Sequence, residues 1–324
     1  MKKTFFIAAI GYVTVSVNAQ NKFEEGGKYG LKKDDKVILK PKYDYMSSFQ
    51  GKQNKIAVVQ MGTKYGCIDR NGKEIIPTIY ENTSVCASDD VIEVILNEKR
   101  GVFDINGKQL IPIQYDGISC YSEGMAVVQL NNPNTHYGCV DATGKEVLPV
   151  KYEELSGFKL GISTARLDGK VGYIDKTGKE IIPFKYYWAY PFSEGLARVE
   201  LDNKQGFIDN SGKEVIALKY KEARDFSEGL AMVKTEEKWG LIDKIGKELT
   251  PLKYDEIEKF RKEIAIVVIA EKKGLIDITG KEIVQPLYDD IDTFFGFDEE
   301  GFMKATLNGK EGKIDRSGKF TPSE

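Results

Sequence analysis

Few residue types that usually carry chemistry stand in a usable arrangement. His136 is the single histidine of the 324-residue chain. One imidazole cannot build a two-His metal site, and it argues against His-dependent catalysis. There is no Gly-x-Ser-x-Gly elbow and no His-Glu-x-x-His motif. Gly-Lys-Glu recurs, but a phosphate-cradling loop needs Gly-Lys followed by Ser or Thr, with further glycines upstream. Asp69-Arg70-Asn71-Gly72 and Asp104-Ile105-Asn106-Gly107 have the opening of calcium loops. They lack the later ligands and the bidentate Glu of an EF-hand, so they read as turns. The recurrent Asp and Lys residues are tempting as acid and base, yet a residue repeated in copy after copy serves the copy. No catalytic residue, metal site or cofactor is assigned.

Two other sets of side chains remain. Cys67 and Cys139 occupy an apolar position within the repeated segments and read as core. Cys86 and Cys120 lie six and five residues past Tyr80 and Tyr115, in near-equivalent places of consecutive segments. They are the candidate disulfide, provided their Cα atoms come within about 7 Å. The aromatic run Tyr186-Tyr187-Trp188-Ala189-Tyr190-Pro191-Phe192 holds the binding candidates. Tyr186 and Phe192 are recurrent positions and read as core. Tyr187, Trp188 and Tyr190 are additional, and exposed aromatics anchor protein interfaces or stack on sugar rings. The alternative is that these three pack locally against a neighbouring segment.

The elements that must hold these residues are tandem copies. A Gly anchor falls at Gly30, Gly66, Gly101, Gly138, Gly172, Gly206, Gly240, Gly274 and Gly312, at spacings of 34 to 38 residues. In eight of the nine copies an Asp follows three residues later, and a Gly-Lys pair begins six residues later. A Tyr closes most copies, from Tyr43 to Tyr288. Apolar pairs such as Leu241-Ile242 precede the Asp and form a short strand. Asp and Gly at the first and fourth positions fit a type I turn, whose Asp accepts from the N–H two residues on. Glu180-Ile181-Ile182 then forms a second strand, which Pro183 ends. Gly178 and Gly212 should therefore sit at positive φ. A second motif, Phe192-Ser193-Glu194-Gly195-Leu196-Ala197-Arg198-Val199, alternates as a further strand and recurs at Phe226–Val233. The stretch from Tyr254 to Phe260 is either a fourth short strand or a helical turn.

Trp239-Gly240-Leu241-Ile242-Asp243-Lys244-Ile245-Gly246-Lys247-Glu248, preceded by Phe226-Ser227-Glu228-Gly229-Leu230-Ala231, resembles the WG-repeat family. The resemblance covers roughly residues 28 to 320. It implies a repeat scaffold, frequent among bacterial exported proteins, and no enzymatic activity. The family's Trp stands only at Trp239, which should be buried; elsewhere it is Tyr29, Tyr65, Tyr137, Val171 or a polar residue.

Nine hairpins with intervening strands make about thirty strands, too many for one open sheet. Adjacent apolar pairs place a side chain on each face of a strand, so small sheets should stack face to face. The expected fold is all-β, an open curved array of antiparallel hairpin repeats about 35 residues long. The alternative is a β-propeller, which typically has four to eight blades. Residues 20–324 are read as a single repeat domain of nine hairpin copies with atypical terminal units.

Composition and the amino terminus set the context. The charge is 47 − 50 = −3, so no basic excess exists to neutralise phosphates, and nucleic acid is not an expected partner. With 41% hydrophobic and 11% aromatic residues the chain can bury a core. Residues 1–19 read as a signal peptide: Lys2 and Lys3, an apolar run from Phe5 to Val17, then Val17-Asn18-Ala19 with cutting after Ala19. The run is short for a membrane span, and a retained anchor helix is the alternative. The first cysteine is Cys67, so no acylated-Cys anchor follows the run. The mature chain is then exported, to the periplasm or beyond, without membrane insertion. The leading functional expectation is a non-enzymatic scaffold that binds an envelope protein or glycan. The rivals are a cell-wall hydrolase using paired carboxylates and a structural spacer with no dedicated site.

Overall fold

The copy around Gly172 shows how one repeat folds. Strands Glu154–Leu155, Ile162–Leu167, Lys170–Asp175 and Glu180–Tyr186 pair antiparallel in chain order. The tight turn between the last two is set by Asp175. Its carbonyl accepts from the Gly178 N–H at 3.0 Å, and its own N–H donates to the Lys179 carbonyl at 3.0 Å. Its carboxylate accepts from the N–H groups of Thr177 and Lys179 at 2.8 and 3.0 Å. Gly178 sits at φ 82° and Gly212 likewise, the left-handed region in which a Cβ is costly.

Pro183 does not end its strand, which runs on to Tyr186. Tyr173 pairs with Ile182 and Val171 with Tyr186, so four steps on one strand oppose two on the other. This is a β-bulge, and Pro lies where the ladder is already broken and needs no N–H. The bulge brings backbone over Gly172. A Cβ there would meet the Ile182 carbonyl oxygen at 2.7 Å and the Phe184 nitrogen at 2.9 Å. That close approach is the physical reason for the anchor glycine.

The Ser-Glu-Gly motif makes a second turn. Ser193 and Leu196 exchange backbone hydrogen bonds at 2.8 and 3.0 Å, with Glu194 and Gly195 at φ 52° and 89°. Two consecutive positive φ values define a type I′ hairpin. The Glu194 carboxylate accepts from the N–H groups of Glu228 and Gly229, at 2.7 and 3.0 Å, in the same turn one repeat on. Burial pushes its pKa up. Lys244 and the Gly229 and Glu228 amides outweigh burial and hold the carboxyl below its ordinary range.

This computed structural model describes residues 20–52, 54–86, 90–293 and 296–323. The expected signal peptide, residues 1–19, lies outside them. The described residues form nine separate antiparallel sheets and no helix. The segment after each closing Tyr is a short strand, such as Trp188–Ala189 or Glu256–Ile257. Among the described residues no sheet combines strands from the two ends of the chain. The sheet of Glu222–Ala223, Leu230–Thr235 and Lys238–Asp243 lacks a full fourth strand. There the Thr250 hydroxyl accepts from the Leu241 N–H at 2.9 Å, replacing a ladder bond.

The chain divides into two compact units, one ending at Val150 and one beginning at Lys151. In the first, Leu31, Tyr43 and Met46 pack with Ala57, Val59 and Ile68. On the other side of that second sheet, Cys67, Ile76 and Tyr80 meet Ile92 and Val94. In the second unit, Ala197, Val199 and Ile208 pack on Tyr173, Ile182 and Tyr186. Phe207, Ile216 and Tyr220 of the same sheet face Ala231, Val233 and Ile242. The adjacent pair Phe207-Ile208 thus serves opposite faces, and both side chains are fully buried. Each such side chain contributes about 1.5–3 kcal/mol. Closing tyrosines add polar links between sheets: the Tyr254 hydroxyl donates to Glu282 Oε1 at 2.8 Å, and that of Tyr288 to the Gly318 carbonyl at 2.6 Å.

Candidate binding face

The core side of each repeat is nearly constant, but one row of each sheet varies. The residue two past the closing Tyr pairs across the sheet with a residue of the next strand, which pairs in turn with the residue before the anchor Gly. Directly opposed residues share a face. In the first unit the row reads Tyr45, Gln60, Tyr65 in one sheet and Gly117, Gln129, Tyr137 in another. In the second unit it reads Glu154, Arg166, Val171; then Trp188, Glu200, Gln205; then Glu222, Lys234, Trp239. Repetition supplies the frame, and this row carries the individual chemistry.

The three aromatic candidates belong to it. Trp188 stands in the row and Tyr190 two residues on, while Tyr187 flanks them. Tyr187 is 52% exposed and Trp188 40% exposed, with their rings edge to face at 5.7 Å. Tyr190 is half-buried. Arg166 places its guanidinium 4.5 Å from the Trp188 ring centre. It is anchored by Glu154 at 3.1 Å and donates to the carbonyls of Tyr187 and Gly169 at 3.2 Å. Its buried Nη2 has no hydrogen-bond partner among the described residues, and the indole face offers the compensating negative potential. Arg198 lies 3.5 Å over Tyr190 and is held by Asp225 at 3.0 Å and Gln205 at 3.3 Å. Gln205 completes the network by donating to Glu200 at 2.9 Å and accepting from the Ala223 N–H at 2.8 Å.

Local packing and exposure therefore coexist: Trp188 and Tyr190 each carry a fixed arginine against the ring, and Tyr187 packs edge to face on Trp188 while remaining exposed. The sequence reading did not find Arg166 and Arg198. Arg198 was visible in the repeated motif, where its counterpart is Met232, but nothing local pointed to its Tyr190 contact.

A second set was also missed. An acid follows the closing Tyr at Asp44, Glu81, Asp116, Glu153, Asp255 and Asp289. These carboxylates accept from hairpin-turn amides, as Asp44 does from Gly62 at 2.8 Å and Asp255 from Ala270 at 2.7 Å. Lys28 pairs with Asp44, and Lys238 with Asp255. Tyr187 and Lys221 take this place in two consecutive repeats, so the exposed Tyr187 replaces a structural carboxylate.

Cys86 and Cys120 are joined in a disulfide with Cα atoms 6.5 Å apart, linking two consecutive sheets of the first unit. Cys67 and Cys139 are free and buried. Burial pushes both thiols up to about 12. The Asp69 and Asp104 carboxylates accept from their own turn amides, at 2.8 Å to Asn71 and Asn106. No cluster of three or more His, Cys, Asp or Glu side chains that could hold a metal ion occurs among the described residues.

The architecture defines a class, the tandem β-sheet repeat scaffold. The chain belongs to the WG containing repeat family, whose repeat matches at residues 31–65, 65–99, 101–132, 137–170, 172–204, 206–239, 239–272 and 274–310. These eight intervals run between nine anchor glycines, so each spans the second half of one hairpin sheet and the first half of the next. No curated protein matches the chain. Among solved structures, one titled as a crystal structure of the eukaryotic initiation factor is 10% identical, with 94% of this chain and 95% of that one covered and a TM-score of 0.40. Kluyveromyces lactis Hsv2p is 9% identical over 71% and 91%, with a TM-score of 0.35. Dihydro-heme d1 dehydrogenase NirN is 14% identical over 82% and 72%, also at 0.35. Likeness at this level carries no argument about function.

Proposed function

We propose that this repeat scaffold is an exported, non-enzymatic binding protein, and that the Trp188 row of its second unit engages an envelope protein. The observation that supports this is Trp188 itself, 40% exposed yet held from below by Arg166. Trp, Tyr and Arg are the side chains that dominate protein interfaces, and a pre-positioned ring loses little entropy on binding. The paired charges around it, Glu154–Arg166 and Arg198–Asp225, suit the mixed charge of a protein surface. The turn carboxylates are occupied by amides and lysines, which favours a scaffold over a hydrolase.

A photo-crosslinking residue in place of Tyr187, in the cells that make the protein, tests the reading. A discrete protein adduct that disappears in Trp188→Ala supports it. Adducts indifferent to Trp188→Ala, or adducts with polysaccharide alone, overturn it. Export is tested by amino-terminal sequencing of the mature protein, with Gln20 expected as the first residue.

A further inference from the structure

A second surface, in the first unit, has a different character. An open groove of about 440 Å³ runs between the sheet of Tyr45–Met46, Ile56–Met61, Lys64–Asp69 and Glu74–Tyr80 and the sheet that begins with Asn82–Cys86. It occupies the variable row: Tyr45, Gln60 and Tyr65 lie on one side and Thr83 and Val85 on the other, with Gln50 and Asn82 also among the lining residues. None of the described residues that line it is charged. The corresponding grooves elsewhere differ. That of about 350 Å³ in the same unit carries Arg100 and Asp116, and that of about 470 Å³ in the second unit carries Asp290, Lys304, Glu311 and Lys313. In a chain that is 30% charged, a groove of this size without a charge is selective.

We propose that this groove binds an uncharged oligosaccharide. Small-ligand sites of this volume combine aromatic walls with a few placed polar groups. Tyr45 is 46% exposed and offers a ring face to the C–H side of a pyranose, with Tyr65 beside it. Gln60 Nε2 is engaged with the Gly62 carbonyl at 2.9 Å, which leaves its side-chain oxygen as an acceptor. The Gln60 oxygen on one wall and the Thr83 hydroxyl on the other suit sugar hydroxyls, which both donate and accept.

Thr83 gives an independent sign. It is only 6% exposed, and its hydroxyl has no hydrogen-bond partner among the described residues. An orphaned buried hydroxyl is costly, and a rotation about χ1 that meets a ligand hydroxyl at the groove floor recovers that cost. Neutral amides and hydroxyls with no counter-charge also disfavour acidic sugars and phosphorylated ligands, whose charge would be desolvated without compensation.

The test is calorimetric titration of the mature chain with cellotriose, maltotriose, mannotriose and chitotriose, with trigalacturonate as the acidic comparison. One neutral trisaccharide should bind one to one, with an affinity that does not change with salt. Tyr45→Ala and Gln60→Ala should each weaken it about tenfold or more, which corresponds to about 1.4 kcal/mol. Trp188→Ala, in the other unit, should leave it unchanged. Thr83→Val keeps the side-chain shape and removes the orphan hydroxyl, so the free chain should melt no lower while sugar affinity falls. The proposal is overturned if no neutral probe binds, if trigalacturonate binds better, or if binding survives both Tyr45→Ala and Gln60→Ala. Wild-type affinity in Thr83→Val likewise overturns it. The partner reading of the Trp188 row stands or falls separately, because its adduct does not depend on this groove.

Discussion

Trp188 and Trp239 carry the same side chain under opposite constraints. Trp239 is 9% exposed and packs among Leu241, Tyr254, Ala265 and Val267. Its truncation to Ala should cost about 3–5 kcal/mol, as for a large aromatic removed from a core. Trp188→Ala removes mainly the contact with Arg166, worth about 0.5–1 kcal/mol. Denaturant titration of both variants should therefore show a large loss for Trp239→Ala and little change for Trp188→Ala. Equal losses would contradict the assignment of Trp188 to a binding face. Cys67 and Cys139 belong at this scale too. With both thiols buried and pushed up to about 12, neither should react with a thiol reagent at neutral pH until the chain unfolds. Rapid labelling of the folded protein would show that their sheets open locally.

Turns and sheet contacts act together at the level of the element. Gly212 and Gly229 share φ 82°, yet they differ in what a Cβ would meet. At Gly229 nothing lies within 4 Å, whereas at Gly212 two Ile182 carbons of the preceding sheet lie at 3.2 Å. Gly229→Ala should thus cost only the left-handed penalty, about 1–2 kcal/mol. Gly212→Ala should cost more, through overpacking against Ile182. The shift in urea midpoint decides it, and a larger loss at Gly229 would refute the stacking account. The disulfide acts on the same kind of contact. It closes 34 residues and ties two consecutive sheets. In the chain-entropy view a loop of this length is worth about 3–4 kcal/mol. A Cys86→Ser, Cys120→Ser double variant should lower the stability of the unit ending at Val150 by up to that amount, read by urea titration without reductant.

At the scale of the whole molecule, ionisation repeats as the sheets do. The side-chain hydroxyls of Thr143, Thr177, Ser211 and Ser317 hold the turn carboxyls of Asp141, Asp175, Asp209 and Asp315 below their ordinary range. Lys28, Lys99, Lys238 and Lys272 do the same for Asp44, Asp116, Asp255 and Asp289. A lowered folded pKa means that the unfolded chain binds protons more readily. The stabilisation is present above the unfolded carboxyl pKa and is lost as pH falls through the folded values. Burial raises the phenols of Tyr43, Tyr80, Tyr152 and Tyr288 above 10.0, so their contribution is present below that pH and lost as pH rises through the raised values. The melting temperature should form a broad plateau around neutrality, falling in acid below about pH 4 and in alkali beyond about pH 10. A maximum at pH 3 would overturn this.

The period, the hairpin turn, the buried closing Tyr and the face-stacked sheets were legible in the sequence. Each rests on about ten contiguous residues: an Asp and Gly three apart define a turn, and paired apolar residues define a strand with two buried faces. The continuation past Pro183 was not, because Pro ends a regular ladder but is accommodated where a bulge has already broken it. Whether the segment after Tyr254 is strand or helical turn also needed the structure, since two residues carry no periodicity. The acids that cap hairpin turns were visible as a column after the closing Tyr, though not their role. Cys86 and Cys120 were legible as a candidate pair from their near-equivalent places, and the structure joins them. Other residues that meet only when sheets pack were decided by tertiary structure alone: Arg166 under Trp188, Arg198 over Tyr190, and the uncharged groove of Tyr45 and Thr83. Local sequence specifies each repeat because its turn and strand chemistry is local. It does not specify which side chains of one sheet face those of the next, because that depends on the twist and register of sheets already formed.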